Sequence, residues 1–205
     1  MSARSPERLP GRVDAILHDI LEALDPRLAP ALRAELAEPG PSALPAPGQT
    51  LALAGHRAGG KSRLLPLLGA LTGRASVDLD AALEQLHGRP LRTWVSEDVA
   101  GFRAAERAAF LQLPAGSLVA LGGGFLSHHG EVLTQAFTVL VPVSLETYRE
   151  RLLADRERPR LRPELPLEEE ISRIHAERER LHAQVPTVPL VQLLRAFLPS
   201  RSPAA

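Results

Sequence analysis

The sequence predicts an α/β protein with a five-stranded parallel sheet, helices on both of its faces and a helical extension in front. Three observations carry that prediction. From residue 50 onward, short apolar runs alternate with stretches whose leucines and alanines recur at helical spacing, the pattern of repeated strand–helix–strand units. The first apolar run leads into Gly55-His56-Arg57-Ala58-Gly59-Gly60-Lys61-Ser62, a G-x-x-x-x-G-K-S phosphate-binding loop that belongs between a strand and a helix. Lys61 is also the chain's single lysine; every other basic side chain among the 24 lysines and arginines is arginine. A lysine kept at one place suggests a compact point charge reaching into a polyphosphate, where a planar guanidinium does not fit.

The elements follow in order. Val13, Ile16, Leu17, Ile20, Leu21 and Leu24 form a helical stripe, Asp25-Pro26 breaks it, and a second helix is expected over 28–36. Pro39-Gly40-Pro41, Pro45, Pro47 and Gly48 read as a linker, so residues 1–48 are set apart as a helical extension and Pro-rich linker. The globular domain is expected over 49–195, with a tail from 196 to 205. Its strands are read at 50–54, 75–79, 118–121, 137–141 and, more weakly, 188–191. Helices are read at 63–71, 81–86, 100–111, 131–135, 145–155 and 167–183. Pro66 removes a backbone donor near the first helical turn after the loop, and a local distortion is expected there.

Composition excludes several classes. Formal net charge is zero and the sequence pI about 7.1, so nothing pulls the chain towards nucleic acid or acidic membranes. Two helices without a basic face do not make the N-terminal segment a DNA-binding domain. With no cysteine there is no disulfide framework and no thiolate metal site. No apolar run is long enough for a bilayer and residues 1–12 lack a signal-type segment, so a cytoplasmic location is expected. The histidines show no metal-ligand spacing, and His128-His129 are expected to be solvated in a loop.

Chemistry is expected at the carboxyl ends of the strands. Asp78 and Asp80 stand at i and i+2 there, on one side of a strand; one would assist Mg²⁺ and the other accept a proton from a hydroxyl. The plainer alternative is an aspartate capping the helix that follows. Arg103 and Glu106 share a helical face at i, i+3, as a site pair or a surface ion pair. Gly122-Gly123-Gly124 follow the third strand, where nothing about a strand end demands three glycines, and they would let a ligand approach backbone N–H groups. Arg151 and Arg158-Pro159 flank a polar, proline-punctuated stretch suited to a mobile arginine-bearing loop. Arg178 lies in an alternating charge run, which by itself suggests an exposed face.

Taken together, the phosphate loop, the D-x-D, the F-R-x-x-E, the three glycines, the R-P and the late arginine resemble the shikimate kinase family of P-loop kinases, in family order and over residues 51–189. The resemblance implies a three-layer P-loop kinase fold and ATP-dependent phosphorylation of shikimate to 3-phosphoshikimate. It implies ATP held by Gly55, Arg57, Ala58, Gly59, Gly60, Lys61, Ser62, Arg63, Arg151 and Arg158, with Mg²⁺ on Ser62 and Asp78. It implies acceptor binding by Asp80, Arg103, Glu106, Gly122, Gly123, Gly124 and Arg178, with Lys61, Asp80 and the lid arginine Arg158 catalytic. Arg103 and Arg178 would grip the shikimate carboxylate, and Arg151 would stack on adenine.

The sequence departs from the family pattern in places. Asp98-Val99 stands where Gly-Glu is usual, His182 where a tyrosine follows the late arginine, Leu121 before the glycines, and Arg57 within the loop; the lid reads Arg158-Pro159-Arg160-Leu161. Arg57 and the N-terminal extension also resemble benzoyl-CoA-responsive regulators, which carry a shikimate-kinase-like sensor domain behind a helical linker; residues 11–48 look like such a linker. The alternative implied is therefore a non-catalytic ligand sensor for an acyl-CoA or aromatic acid. A monomer, or a homodimer through the N-terminal helices, is expected.

Overall fold

The computed structural model describes residues 10–155 and 160–198. Helices α1 (Pro10–Ala23) and α2 (Ala29–Ala37) precede β1 (Leu51–Ala54), α3 (Lys61–Thr72), β2 (Ser76–Asp78), α4 (Leu79–His87), α5 (Leu91–Glu97) and α6 (Val99–Leu111). Then come β3 (Leu118–Ala120), α7 (Phe125–His128), a 3₁₀ segment (Gly130–Gln135), β4 (Phe137–Leu140), α8 (Leu145–Ala154), α9 (Leu167–His182), β5 (Val188–Pro189) and α10 (Leu190–Arg195). The five strands are all parallel, in the order β2-β3-β1-β4-β5. Chain order reverses beside β1, and the crevice this opens at the strand ends is where ligands of such sheets bind.

Alternation along β1 builds the three layers. Leu51 and Leu53 face a leucine-rich core formed with α1, α3 and α10, while Ala52 and Ala54 face a second core holding Phe102, Phe110, Phe125 and Trp94. The small side chains of β1 leave room for the aromatic ones opposite. Helix α3 runs through Pro66 without a break, so the distortion expected there does not end the helix.

The N-terminal helix belongs to the main core. Leu17, Ile20, Leu21 and Leu24 are buried against α3 and the sheet, so the apolar stripe that could have served a dimer partner is already covered. Its anchor is Asp25, 1% exposed. That carboxylate accepts from Ser144 N (2.6 Å), Ser144 Oγ (2.7 Å), Thr147 Oγ1 (2.7 Å) and Arg27 N (2.9 Å), fixing the end of α1 to the start of α8.

Several expectations are corrected. Residues 188–191 were expected as a strand, but β5 stops at Pro189, which has no N–H to continue a ladder. Leu190, Val191, Leu193 and Leu194 instead have helical spacing and are buried as α10. Phe197 and Leu198, assigned to a tail, pack on the same core. Residues 131–135 form a 3₁₀ segment, not an α-helix. Helix α5 was not expected at all; seven residues give too little periodicity, and buried Trp94 against Phe102 holds it in place.

Candidate active site

The phosphate loop begins where β1 ends. Gly55 has φ 135°, and a Cβ there would meet the Val141 carbonyl at 2.8 Å, so only glycine lets the chain leave the sheet this way. Ala58 is the one non-glycine residue with positive φ (58°) among the described residues, a conformation that costs on the order of 1 kcal/mol and collects at functional loops. Gly60 enters α3 in the left-handed region. Lys61 is buried, and its Nζ donates back to the carbonyls of Gly55 (3.1 Å) and His56 (2.7 Å). Arg57, Ala58, Gly59, Gly60, Lys61, Ser62, Arg63, Asp78, Asp80 and Arg151 line a cleft of about 480 Å³ over the α3 N-terminus, where backbone N–H groups and the helix dipole favour anions. Arg151 Nη1 donates to the Ala58 carbonyl at 2.7 Å, which lays this side chain along the loop.

A second cleft of about 730 Å³ adjoins the first. It brings together Asp80, Arg103, Glu106, Gly122, Gly123, Gly124 and Arg178, residues spread over nearly a hundred positions of sequence. Arg57, Asp80 and Gly123 border both clefts. Glu84, α5 (through Leu91, Arg92, Thr93 and Val95) and Leu161 also line it, and the sequence singled out none of these as site residues. They escaped notice because a cleft wall needs shape, and shape leaves no residue-type pattern.

The two aspartates do not share a strand face. Asp78 ends β2 and caps α4, its Oδ1 accepting from Ala81 N at 3.2 Å, so the plainer capping alternative holds for it. Asp80 sits in the first turn of α4 and is aimed between the clefts. Burial, reinforced by the Glu106 and Asp78 carboxylates and only partly offset by Lys61 and Arg103, pushes its carboxyl up to about 6.

Glu106 is fully buried and bonds Arg103 Nη1 at 2.6 Å, so this pair lies inside the site and not on the surface. Burial raises the Glu106 carboxyl despite that guanidinium. His129, expected to be solvated, is buried 3.3 Å from Glu106 and edge-on to Phe125; its neighbour His128 bonds the Gly124 carbonyl at 2.7 Å. Arg178 is half-buried at the cleft, not on an exposed face, and desolvation lowers its basicity. Arg103 Nε and Arg178 Nη1 are buried donors without a hydrogen-bond partner among the described residues.

The three glycines have a packing reason that the strand end alone did not reveal. A Cβ at Gly122 would meet Asp80 Oδ1 at 2.7 Å and Glu106 Oε1 at 2.8 Å; at Gly123 it would meet the Arg57 backbone nitrogen at 2.6 Å; at Gly124, Arg103 Nη2 at 2.8 Å. The site's own side chains occupy the space that larger residues would need.

Three of the departures have local explanations. Asp98 caps α6 by accepting from Gly101 N at 2.8 Å. Leu121 is buried in the aromatic core. Arg160 pairs with Glu170 at 2.7 Å, and Leu161 N donates to the same carboxylate at 2.7 Å. Arg158, the expected lid arginine, lies outside the described residues. The metal expectation rests on Ser62 and Asp78, whose oxygens border the phosphate cleft beside Lys61; an all-oxygen donor pair suits Mg²⁺.

Known proteins resemble the chain throughout this region. A family model described as shikimate kinase matches residues 57–192. The shikimate kinase of Chlorobium luteolum is 36% identical over 146 residues, covering 64% of this chain and 72% of that protein. That of Thermosynechococcus vestitus is 32% identical over 142 residues, covering 67% and 77%. Among solved structures, shikimate kinase from Acinetobacter baumannii in complex with shikimate superposes with a TM-score of 0.62 at 22% identity, covering 72% of this chain and 89% of that one. The enzyme from Aquifex aeolicus gives 0.58 at 22% identity, covering 69% and 86%. No described helix is long and apolar enough to cross a membrane.

Proposed function

The chain belongs to the shikimate kinase family of phosphotransferases, and on that premise we propose that it transfers the γ-phosphoryl group of Mg·ATP to a ring hydroxyl of shikimate, giving 3-phosphoshikimate and ADP. The observation that carries the acceptor assignment is the pair of half-buried guanidiniums, Arg103 and Arg178, each with a buried N–H that lacks an acceptor among the described residues, in one cleft with Asp80. Glu106 balances only one of these two like charges, and a ligand carboxylate would supply the missing acceptors.

In this reading Gly55 to Ser62 and Arg63 cradle the ATP phosphates, and Lys61 leaves the loop carbonyls for the β- and γ-phosphates. Ser62 and Asp78 would hold Mg²⁺, which supplies charge neutralisation at the phosphates. Arg103 and Arg178 orient the acceptor through its carboxylate, Glu106 fixes Arg103, and the backbone at Gly122–Gly124 borders the ring. Asp80, raised to about 6 and so mostly ionised at neutral pH, accepts the hydroxyl proton as the oxygen attacks. Arg151 would reach the adenine only by releasing the Ala58 carbonyl, and Arg158 enters as lid arginine on sequence position alone. Catalysis is then positioning and charge stabilisation, with no covalent enzyme intermediate.

The test is ADP release by the full chain with Mg·ATP, with and without shikimate. A shikimate-dependent rate of at least about 1 s⁻¹ is expected. Nucleotide binding without shikimate-stimulated release would replace the kinase by the ligand-sensor reading.

A further inference from the structure

Outside both clefts, α9 and the second residue of the phosphate loop enclose a group of imidazoles that phosphoryl transfer does not use. His175, Glu179 and His182 stand at i, i+4 and i+7 of α9, on one face of that helix. His56 meets them from the loop. His56 and His182 are 2% and 3% exposed. The His56 ring lies flat on His175, centroids 4.2 Å apart with 4° between planes, and meets His182 edge-on at 4.9 Å. His56 Nε2 is 2.6 Å from Glu179 Oε1.

Four of the five remaining ring nitrogens are stranded. Among the described residues, His56 Nδ1, His175 Nε2 and both nitrogens of His182 have no hydrogen-bond partner. Buried polar atoms are nearly always paired, and an apolar side chain would fill the same space without the desolvation cost. His182 stands where the family pattern has a tyrosine, so the cluster is a property of this chain.

We propose that His56, Glu179 and His182 form a binding site for a divalent transition-metal ion, with Zn²⁺ the best match. One ligand atom from each lies within 4.8 Å of the others. Tetrahedral bonds of about 2.1 Å set ligand atoms roughly 3.4 Å apart. The Glu179 side chain, 55% exposed, has the freedom to close that difference and gives the ion a way in from solvent. Two imidazoles, one carboxylate and a fourth position open to water form a donor set that Zn²⁺ uses, whereas Mg²⁺ and Ca²⁺ prefer oxygen alone.

The histidines are ready to ligate. Burial, with nearby His175, Arg178 and Lys61, lowers His56 to about 3, and burial, with nearby His56, lowers His182 to about 4, so both are neutral at neutral pH. Their lone pairs therefore need shed no proton before binding a metal. The stacked His175 ring fixes the plane of His56. The site is distinct from Ser62 and Asp78, and an ion there would tie the phosphate loop to the helix carrying Arg178. It would act close to Lys61, whose Nζ donates to the His56 carbonyl.

The test uses the full chain, stripped with a chelator and titrated with Zn²⁺ and Co²⁺ without nucleotide or acceptor, so it does not depend on phosphoryl transfer. Saturable binding of one ion per chain is expected, with a tetrahedral Co²⁺ absorption spectrum and a Zn²⁺-dependent rise in Tm. His182→Gln and Glu179→Gln should each weaken binding by at least about tenfold and abolish the rise in Tm. Glu179→Gln changes an exposed side chain and carries the test should His182→Gln fail to fold, as judged by circular dichroism. Absence of saturable binding to the wild type, or unchanged affinity in a folded Glu179→Gln variant, overturns the proposal.

Discussion

Asp25 and Asp80 are both carboxylates drawn out of full solvent, and the structure moves them in opposite directions. Burial pushes Asp25 up, but four hydrogen bonds, from the hydroxyls and backbone of Ser144, Thr147 and Arg27, more than reverse it and hold the group at about 2. Among the described residues Asp80 receives no such set. Burial and the carboxylates of Glu106 and Asp78 outweigh Lys61 and Arg103, and the group sits at about 6. The first aspartate joins the N-terminal helix to the domain. The second is held in a cleft whose polar atoms are left open, as at Arg103 Nε, Glu106 Oε1 and Arg178 Nη1. A completed hydrogen-bond shell suits a structural joint; an incomplete one leaves donors and acceptors open to a ligand.

Substitutions at the two aspartates should separate accordingly. The largest effect is expected from Asp80→Asn, which should lower shikimate-dependent ADP release by about 10²–10⁴-fold while leaving ATP affinity unchanged. Wild-type turnover in that variant would break the assignment of Asp80 as base. Asp25→Ala should leave four buried or half-buried donors unpaired and cost about 2–4 kcal/mol in denaturant unfolding. With correct folding restored, its kcat should match the wild type. If turnover falls as steeply as at Asp80, the joint and the site are not separable.

The pH dependence sharpens the contrast. Asp80 is raised in the fold, so its favourable contribution is present below the unfolded value near 3.8 and is lost as pH rises through about 6. Asp80→Asn should therefore melt higher than the wild type at pH 8, with the gain disappearing by pH ~4. Asp25 is depressed, so its contribution is present above the unfolded value and is lost as pH falls from about 3.8 towards 2. Asp25→Ala should erase that acid-induced loss. Parallel Tm profiles for the two variants would contradict the opposite shifts. The smallest effect is expected at Arg27→Ala. It removes an exposed ion pair to Glu150 at 2.6 Å and a 3.0 Å hydrogen bond to Thr147 Oγ1 but keeps the backbone N–H that Asp25 uses, and denaturant unfolding should lose no more than about 1 kcal/mol.

How much of this was legible differs between fold and site. Local pattern gave the strand–loop–helix around Lys61, the parallel alternation and the long helices, because these depend on periodicity and on glycines at a turn. The same periodicity misjudged residues 188–191, where Pro189 stops the strand and the leucines turn helical. At the site, Lys61, Asp80, Arg103, Glu106 and Arg178 could be singled out by residue type and order. Whether Arg103–Glu106 lay on the surface, or Arg178 on a solvated face, could not, since burial is set by what packs over a helix.

By itself the sequence determined the phosphate loop and its lone lysine, the β/α alternation, and the set of charged residues from which a kinase site can be built. These are local, fixed by backbone conformations and side-chain chemistry within a few residues. Only the tertiary structure decided that Asp25 completes its shell on α8 and that Asp80 does not. It alone decided that Gly122 to Gly124 make room for the site's own side chains, and that His56 meets His175, Glu179 and His182 more than a hundred residues away. The physical reason is that desolvation and hydrogen-bond completion depend on partners distant in sequence, and no local pattern records which partners arrive.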